Sequence, residues 1–442
     1  MQRSWPDGSD VMRFVFFALV LIGFVGVAWQ QVMWIPAEGA VAPMEKLSGA
    51  IMEAAGSSVQ LALSLIGVMA LFLGLMKVAE AGGLLNMIAR LIRPLMTKLF
   101  PEVPPNHPAV GAMVLNFSAN LLGLGNAATP FGIRAMQELE RLNPCPGTAT
   151  NAMVLFVAIN TAGITLLPTS VIALRAAAGS ANPAGVLPTT LFASFCATLV
   201  AVFAAKGYQK LSRFPACDGA AVENGIHSDP VEDGPGGDQE APEAYPLWVC
   251  WFTFGLLISI IPLTVIYGRV ISPWIIPCIV VGFLAFGIIR RVAIYEVFVE
   301  GAKEGFQVVV KIIPYLVAIL VAISMLRTSG AIDAAAKWLG AWTNAAGLPP
   351  EGVLMAIMRP LSGSGAYGIV ASIIREPTIG PDSYTGYLVS TLQGSSETTL
   401  YVLAVYFGAV QVKRIRHALA AGLTAELVAV AAAVAICRYL YG

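Results

Sequence analysis

Long apolar runs without charged residues recur along the whole chain. A helix needs roughly 20 apolar residues to cross the hydrocarbon core of a bilayer. Such runs occupy residues 14–35, 54–76, 186–205, 247–268 and 270–289. Two shorter apolar cores lie at 312–326 and 398–412, and a last apolar span at about 419–436 contains Glu426. With the less regular stretches between them, the pattern predicts about ten to fourteen membrane segments, some of which do not cross fully.

The first run resembles a signal peptide but is long for one. No small-residue cleavage site clearly follows it. Trp29 and Trp34 lie toward its end, as is typical of a helix that ends at a membrane interface. We therefore expect a retained transmembrane anchor over residues 1–40.

Composition excludes a soluble enzyme. Of the 442 residues, 57% are hydrophobic and 12% are charged, whereas soluble domains carry about 25% charged residues. Lys and Arg together number 26, as do Asp and Glu, so no net charge attracts nucleic acid. The sequence predicts an all-α polytopic membrane protein.

One segment has a different composition and divides the chain. Residues 214–244 contain eight acidic residues and no Lys or Arg, among many Gly and Pro. Such a composition cannot bury apolar surface and predicts a flexible linker. The predicted organisation is a first domain over residues 41–207, an acidic linker over 208–245 and a second domain over 246–442.

Basic residues indicate the orientation. Clusters occur at 206–213, 290–303 and 413–416, and basic loops remain on the cytoplasmic side of a membrane. The linker and the N-terminus are then cytoplasmic. On this topology the helix of run 54–76 starts outside and its counterpart at 312–326 starts inside, so the two halves are expected to be inverted repeats.

Polar interruptions of apolar sequence occur at matching places in the two halves. In the first half they lie at 116–126 and 159–170, and in the second at 359–365 and 392–400. Gly, Pro and small polar residues weaken a helix, and an unpaired backbone in lipid survives only against protein or a wet cavity. Matched breaks in two repeats are the best sequence pointer to a transporter's substrate site. The alternative is that small polar residues serve close helix packing.

The candidate substrate site consists of polar residues at these breaks. Amides supply paired donors and acceptors, and hydroxyls add further ones. The candidate residues are Asn116, Ser118, Asn120, Asn126, Asn160, Thr161, Ser362, Ser364, Gln393, Ser395 and Glu397.

Glu397 is the most informative of them, because ionisable residues at membrane depth are costly and rare. Its carboxylate could bind a coupling cation, take a proton or accept hydrogen bonds from a solute. Alternatively, it pairs with Arg359 or caps the following helix. Arg134 either holds an anionic group or pairs with Glu138 four residues on.

No motif predicts catalysis or a cofactor. The chain lacks a phosphate-binding loop, a GxSxG sequence and an HExxH sequence, each of which marks a class of enzyme. Its six cysteines and three histidines are scattered without metal-ligand spacing. We expect neither enzymatic activity nor a metal site.

Four motifs resemble known membrane proteins. Residues 116–130 (NFSANLLGLGNAATP) and 160–169 are similar to spore maturation protein A. Residues 358–365 (MRPLSGSG) and 390–399 (STLQGSSETT) are similar to spore maturation protein B. The chain therefore resembles a fusion of the two, each with a nucleoside recognition (Gate) domain.

The resemblance implies two Gate-type repeats with discontinuous helices and re-entrant segments. Related domains occur in concentrative nucleoside transporters and in the membrane part of ferrous iron transport protein B. Hydroxyls, amides and one carboxylate at the breaks favour an organic solute or a hard cation over iron.

The function that we expect is a secondary transporter or permease of the bacterial inner membrane for a small polar solute. The rival is a non-transporting membrane scaffold in spore maturation or cell-envelope assembly. The expected partners are the lipid bilayer and the solute, with a second copy of the chain or cell-envelope enzymes as further candidates.

Overall fold

The computed structural model describes residues 8–36, 40–123, 125–211, 245–331, 334, 343 and 345–442. This part of the chain is helical, as the sequence predicts. The helices of the first half, after α1 (Gly8–Val32), are α2 (Pro43–Ala81), α3 (Leu84–Leu99), α4 (Pro108–Leu121), α5 (Gly125–Arg141), α6 (Asn151–Ala162), α7 (Thr169–Ala177) and α8 (Leu187–Leu211). Those of the second half are α9 (Leu247–Ile289), α10 (Ile294–Thr328), α11 (Pro350–Leu361), α12 (Gly363–Arg375), α13 (Tyr384–Gly394), α14 (Thr399–Ala409) and α15 (Ala418–Tyr441).

Several expectations fall partly outside the described residues. Of the acidic linker, residues 212–244 are outside, while α8 continues to Leu211 and so takes up the linker's first four residues. Residues 332–333, 335–342 and 344, which precede Pro349, are also outside. Asn126 lies in α5, but its side chain is not among those described.

Four helical segments among the described residues are long and apolar enough to cross a membrane. They are Pro43–Ala81, Pro183–Leu211, Ile294–Thr328 and Ala418–Tyr441, and they contain four of the apolar runs. Large apolar side chains on the outer surface are strongly exposed, including Phe203 at 67% and Leu427 at 71%. Because soluble proteins rarely expose extended apolar surface, this surface fits contact with lipid.

One predicted division is wrong. The runs 247–268 and 270–289 belong to the single helix α9, which is 43 residues long, and not to two separate segments. Arg269 interrupts the charge-free pattern but is no helix breaker, since arginine has a high helix propensity.

Two crossings are made of half-length helices. In the first half, α6 has 12 residues and α7 has nine; in the second, α13 and α14 have 11 each. At 1.5 Å per residue these helices are about 14–18 Å long, roughly half the 30 Å core of a bilayer. The predicted discontinuous helices are therefore confirmed, with breaks at 163–168 and 395–398.

Loop contacts define two ends of the molecule. At the first end, Arg414 N donates to Gly147 O at 3.0 Å, joining the α14–α15 loop to the α5–α6 loop. At the second end, Ser180 Oγ donates to Asp382 Oδ1 at 2.5 Å, joining the α7–α8 loop to the α12–α13 loop. The broken helix α6–α7 thus runs from the first end to the second, and α13–α14 runs back.

The same contacts orient α8 and α15 in opposite directions. Tyr441 at the end of α15 donates to Gly185 O at 2.7 Å, just before α8 begins. Gln209 near the end of α8 donates to Glu102 Oε1 at 3.4 Å, and Asn151 of the first end donates to the same oxygen. Matching helices of the two halves therefore run antiparallel, as expected of inverted repeats.

The long helices α2 and α10 form the most extensive contact between the halves. Glycine makes this approach possible: a Cβ added at Gly301 would lie 2.6 Å from Leu73 O, and one at Gly305 would lie 2.8 Å from Ala70 Cα. Small residues that let backbones approach are typical of helix pairs in membranes.

Candidate functional site

The four helix breaks meet in the middle of the molecule. In the first half, Leu166 N donates to Leu121 O at 2.8 Å. This bond joins the break between α6 and α7 to the tip of the α4–α5 hairpin, whose short helices pack against each other. The tip is close-packed, since a Cβ on Gly123 would lie 2.6 Å from Leu167 O.

A backbone hydrogen bond joins the breaks of the two halves. Glu397 N donates to Thr161 O at 2.7 Å, so a donor freed by the second break satisfies an acceptor freed by the first. A Cβ on Gly163 would lie 3.4 Å from Glu397 Cγ, and one on Gly394 would lie 3.3 Å from Pro168 Cβ. The unpaired backbone of each half is thus buried against the other, as a break at membrane depth requires.

Arg359 joins the remaining break, at Ser362, to the same centre. Its guanidinium donates through Nη1 to Thr398 Oγ1 at 3.1 Å and through Nη2 to the carbonyl of Ser396. The residue is 6% exposed. One arginine therefore satisfies two acceptors of the α13–α14 break from the end of α11.

Three amides of the first half and one phenol of the second form a hydrogen-bonded group, which we call the amide cluster: Asn116, Asn120, Asn160 and Tyr406. Asn120 Nδ2 donates to Asn160 Oδ1 at 2.9 Å. Asn116 Nδ2 donates to Tyr406 Oη at 3.1 Å, and Tyr406 Oη donates to Asn160 Oδ1 at 3.4 Å. Among the residues that the structure describes, Asn116 Oδ1 is buried and has no hydrogen-bond partner.

Tyr406 reaches the amide cluster because α5 carries a glycine opposite it. A Cβ on Gly132 would lie 2.4 Å from Tyr406 Oη. The phenol ring also packs 5.5 Å from the ring of Phe156 in α6. The second half thereby contributes a side chain to the break of the first.

Ionisable side chains gather at the break of the second half, in what we call the charged cluster: Arg359, Glu397 and Glu426. The side chain of Glu397 is 51% exposed, and its Oε2 lies 3.8 Å from Arg359 Nη2. Glu426 is 5% exposed. Its Oε1 accepts from Thr399 Oγ1 at 2.5 Å and from Thr399 N at 3.3 Å.

The Glu426 carboxylate lies at the first residue of α14. Backbone N–H groups at a helix start lack intrahelical partners, and the helix dipole favours a negative charge there.

A cavity of about 10 Å³ lies between Arg359, Ser395, Ser396 and Glu426. That volume is close to the minimum that holds one water molecule.

The structure brings most of the predicted residues to this centre. Besides the three amides of the amide cluster and Glu397, Gln393 Nε2 approaches Gly363 O at 3.5 Å. Gln393 Oε1 and Thr161 Oγ1 are buried without partners in the structure. Unused buried acceptors and hydroxyls of this kind require an explanation such as a ligand or water.

Other predicted hydroxyls form local hydrogen bonds, within a helix or at its end. Ser118 Oγ donates to Val114 O at 2.7 Å, and Ser395 Oγ donates to Leu392 O at 3.4 Å; both residues are fully buried. Ser362 caps α12 by accepting from Gly365 N at 3.0 Å, with Ser364 Oγ 3.4 Å away. Each of these hydroxyls therefore has a hydrogen-bond partner close by in the chain.

Sequence reasoning did not place Glu426 or Tyr406 in the site. Glu426 has the signal that singled out Glu397, a carboxylate inside an apolar run, and could have been found. Tyr406 has no such signal, because nothing local shows that α14 packs against α5. Glu138, predicted from the sequence as a partner for Arg134, forms an ion pair with Arg141: its Oε1 lies 2.8 Å from Arg141 Nη1.

Together, antiparallel repeats, half-length helices and a polar centre define a multi-pass helical membrane protein with broken helices. Residues 62–210 and 309–413 match the nucleoside recognition (Gate) family. These segments cover more than half of the chain and one falls in each half, so the chain belongs to that family.

Two curated relatives match parts of the chain. Spore maturation protein B of Bacillus subtilis (strain 168) is 48% identical over 167 residues, 38% of this chain and 93% of the relative. Spore maturation protein A of the same organism is 40% identical over 159 residues, 36% of this chain and 81% of the relative. The predicted resemblance to both proteins is confirmed.

Among solved structures, the YdaH transporter of Alcanivorax borkumensis is similar at 15% identity and a TM-score of 0.35, covering 96% of this chain and 97% of that one.

Proposed function

We propose that this protein is a secondary transporter or permease for a small polar solute in the cytoplasmic membrane of a bacterium. The observation that supports it most is the contact between breaks of opposite repeats, in which Glu397 N donates to Thr161 O. Opposed repeats with broken helices at their interface permit alternating access to a shared site.

In this proposal the two clusters have different roles. The amide cluster binds the solute through paired hydrogen-bond donors and acceptors. Glu397 supplies a charge that the solute or a coupling cation can reach, because half of its side chain is exposed. The solute is moved across the membrane, and no covalent bond is formed or broken.

A membrane scaffold is the second candidate, and one observation favours it. The cavity beside the second break measures about 10 Å³, which is too small for a solute larger than water. A transporter in a closed state must open this centre to work, whereas a scaffold would keep it closed.

Uptake into proteoliposomes tests the proposal. The purified protein is reconstituted and assayed with radiolabelled uridine, adenosine and small carboxylates. Glu397→Gln is expected to lower uptake of the transported compound at least about tenfold, the effect of losing one charge-assisted hydrogen bond. It is also expected to abolish the dependence of uptake on pH or cations.

The matched control is Glu45→Gln, which makes the same change at an exposed position in the first turn of α2 and is expected to leave uptake unchanged. If no compound enters above protein-free vesicles, the scaffold becomes the better account. If Glu397→Gln transports normally, Glu397 has no part in the mechanism.

A further inference from the structure

Glu426 is an acidic side chain inside a membrane helix that the transport proposal does not use. It lies in α15, one of the four segments long enough to span the membrane, and is 5% exposed. An ionised carboxylate in such a place carries a desolvation cost unless a cation compensates it. Its hydrogen bonds come from the hydroxyl and amide of Thr399.

Among the described residues, the cation that lies near Glu426 is Arg359, and it is already engaged elsewhere. Arg359 lines the same small cavity as Glu426, but its Nη2 is 3.8 Å from Glu397 and its two terminal nitrogens donate to Ser396 and Thr398. Its Nε is buried without a partner in the structure. The ionisable groups that act on Glu426 from neighbouring elements are Arg359 of α11 and Glu397 of the α13–α14 break.

We propose that Glu426 is the proton-binding carboxylate of this protein and that Arg359 is shared alternately between Glu426 and Glu397. When Arg359 pairs with Glu397, Glu426 holds a proton on a carboxyl oxygen. When a solute or cation engages Glu397, Arg359 turns to Glu426. The Glu426 O–H bond then breaks, its proton passes to water in the cavity, and the carboxylate that remains pairs with the guanidinium.

This assignment rests on the proposed transport function for its purpose, since it makes a proton the coupling ion. The packing around Thr399 brings both breaks close to α15. A Cβ on Gly422 would lie 2.9 Å from Thr399 Cγ2 and 3.7 Å from Thr161 Oγ1, so glycine at this position of α15 lets both breaks approach the helix that carries Glu426.

Infrared difference spectroscopy tests proton binding without transport. The full-length protein in lipid bilayers is titrated between about pH 5 and pH 9, and the carbonyl stretching band of protonated carboxylic acids is followed. We expect a titrating band that is lost in Glu426→Gln and kept in Glu45→Gln. Glu426→Asp keeps a carboxyl group and is expected to move the band, which guards against loss by misfolding.

The sharing of Arg359 is tested by Glu397→Gln. With that competitor removed, the guanidinium is free to pair with Glu426, so the band is expected to titrate at lower pH than in the unsubstituted protein. A band that survives Glu426→Gln would overturn the assignment of the proton, and an unchanged midpoint in Glu397→Gln would overturn the sharing. A band that sodium removes at constant pH would make Glu426 a sodium site instead.

The outcomes separate the two proposals. A titrating Glu426 band with no uptake of any compound would leave proton binding intact and remove the transport function. Uptake without a Glu426 band would remove only the proton assignment.

Discussion

The broken helices of the two halves share a backbone design but differ in chemistry. Both have half-length helices around a short break, and the two breaks are joined through Thr161 and Glu397. The amide cluster at the break of the first half consists of neutral groups, whereas the break of the second half carries Arg359, Glu397 and Glu426. The half-helix α14 has a carboxylate at its first amide, while α7 starts after Pro168 without a side-chain cap.

An inverted repeat fixes where the backbone breaks and leaves the side chains free to diverge. Neutral amides form hydrogen bonds in fixed directions, whereas ionisable groups respond to the charge of what they bind. The two breaks are therefore suited to different tasks at one centre. Substitutions at the two breaks should therefore differ in how much they lower the free energy of unfolding.

Arg359→Met is expected to have the largest effect on stability. It removes two charged hydrogen bonds at a nearly buried site and leaves the Ser396 carbonyl without its donor, a loss of about 3 kcal/mol in the free energy of unfolding. Chemical denaturation in detergent micelles measures it. The control Arg375→Met, at an exposed position at the end of α12, should stay within about 0.5 kcal/mol. Equal effects of the two variants would contradict the role given to Arg359.

Asn160→Ala is expected to have an intermediate effect. It takes an acceptor from Asn120 and Tyr406 together, and leaving buried neutral groups unpaired costs about 1–3 kcal/mol. The same denaturation assay applies, with the exposed Asn106→Ala as the control. Because Tyr406→Phe removes part of the same network, the double variant should lose less than the sum of the single losses. Strict additivity would show that Tyr406 does not belong to the amide cluster.

Ser118→Ala is expected to have the smallest effect. The hydroxyl donates to Val114 O, in the preceding turn of α4, and such bonds add little to helix stability. The free energy of unfolding should change by less than about 0.5 kcal/mol, and uptake in proteoliposomes should be unchanged. Loss of uptake would show that Ser118 contacts the solute.

The breaks were predictable because glycine, proline and hydroxyl residues interrupt apolar sequence locally. The hydrogen-bond partners of the side chains at these breaks were less predictable. Asn160 was predictable as a polar residue at a break, but its bond to Tyr406 depends on how α14 packs against α6. The continuity of α9 was missed because Arg269 interrupts hydropathy without interrupting helix propensity.

The contact between the breaks is tested most directly by a disulfide. Pro168→Cys and Gly394→Cys are introduced together into a variant without the native cysteines, with a protease site inserted in the acidic segment 214–244. A Cβ at position 394 would lie 3.3 Å from that of residue 168, near the range of about 3.5–4.5 Å found in disulfides.

After oxidation and proteolysis, we expect the two halves to migrate as one band without reductant and as two bands with it. The control pair Pro168→Cys with Gly408→Cys, whose second position is exposed with no atom within 4 Å of an added Cβ, should separate under both conditions. Separation of the 168–394 pair without reductant would contradict the convergence of the two breaks.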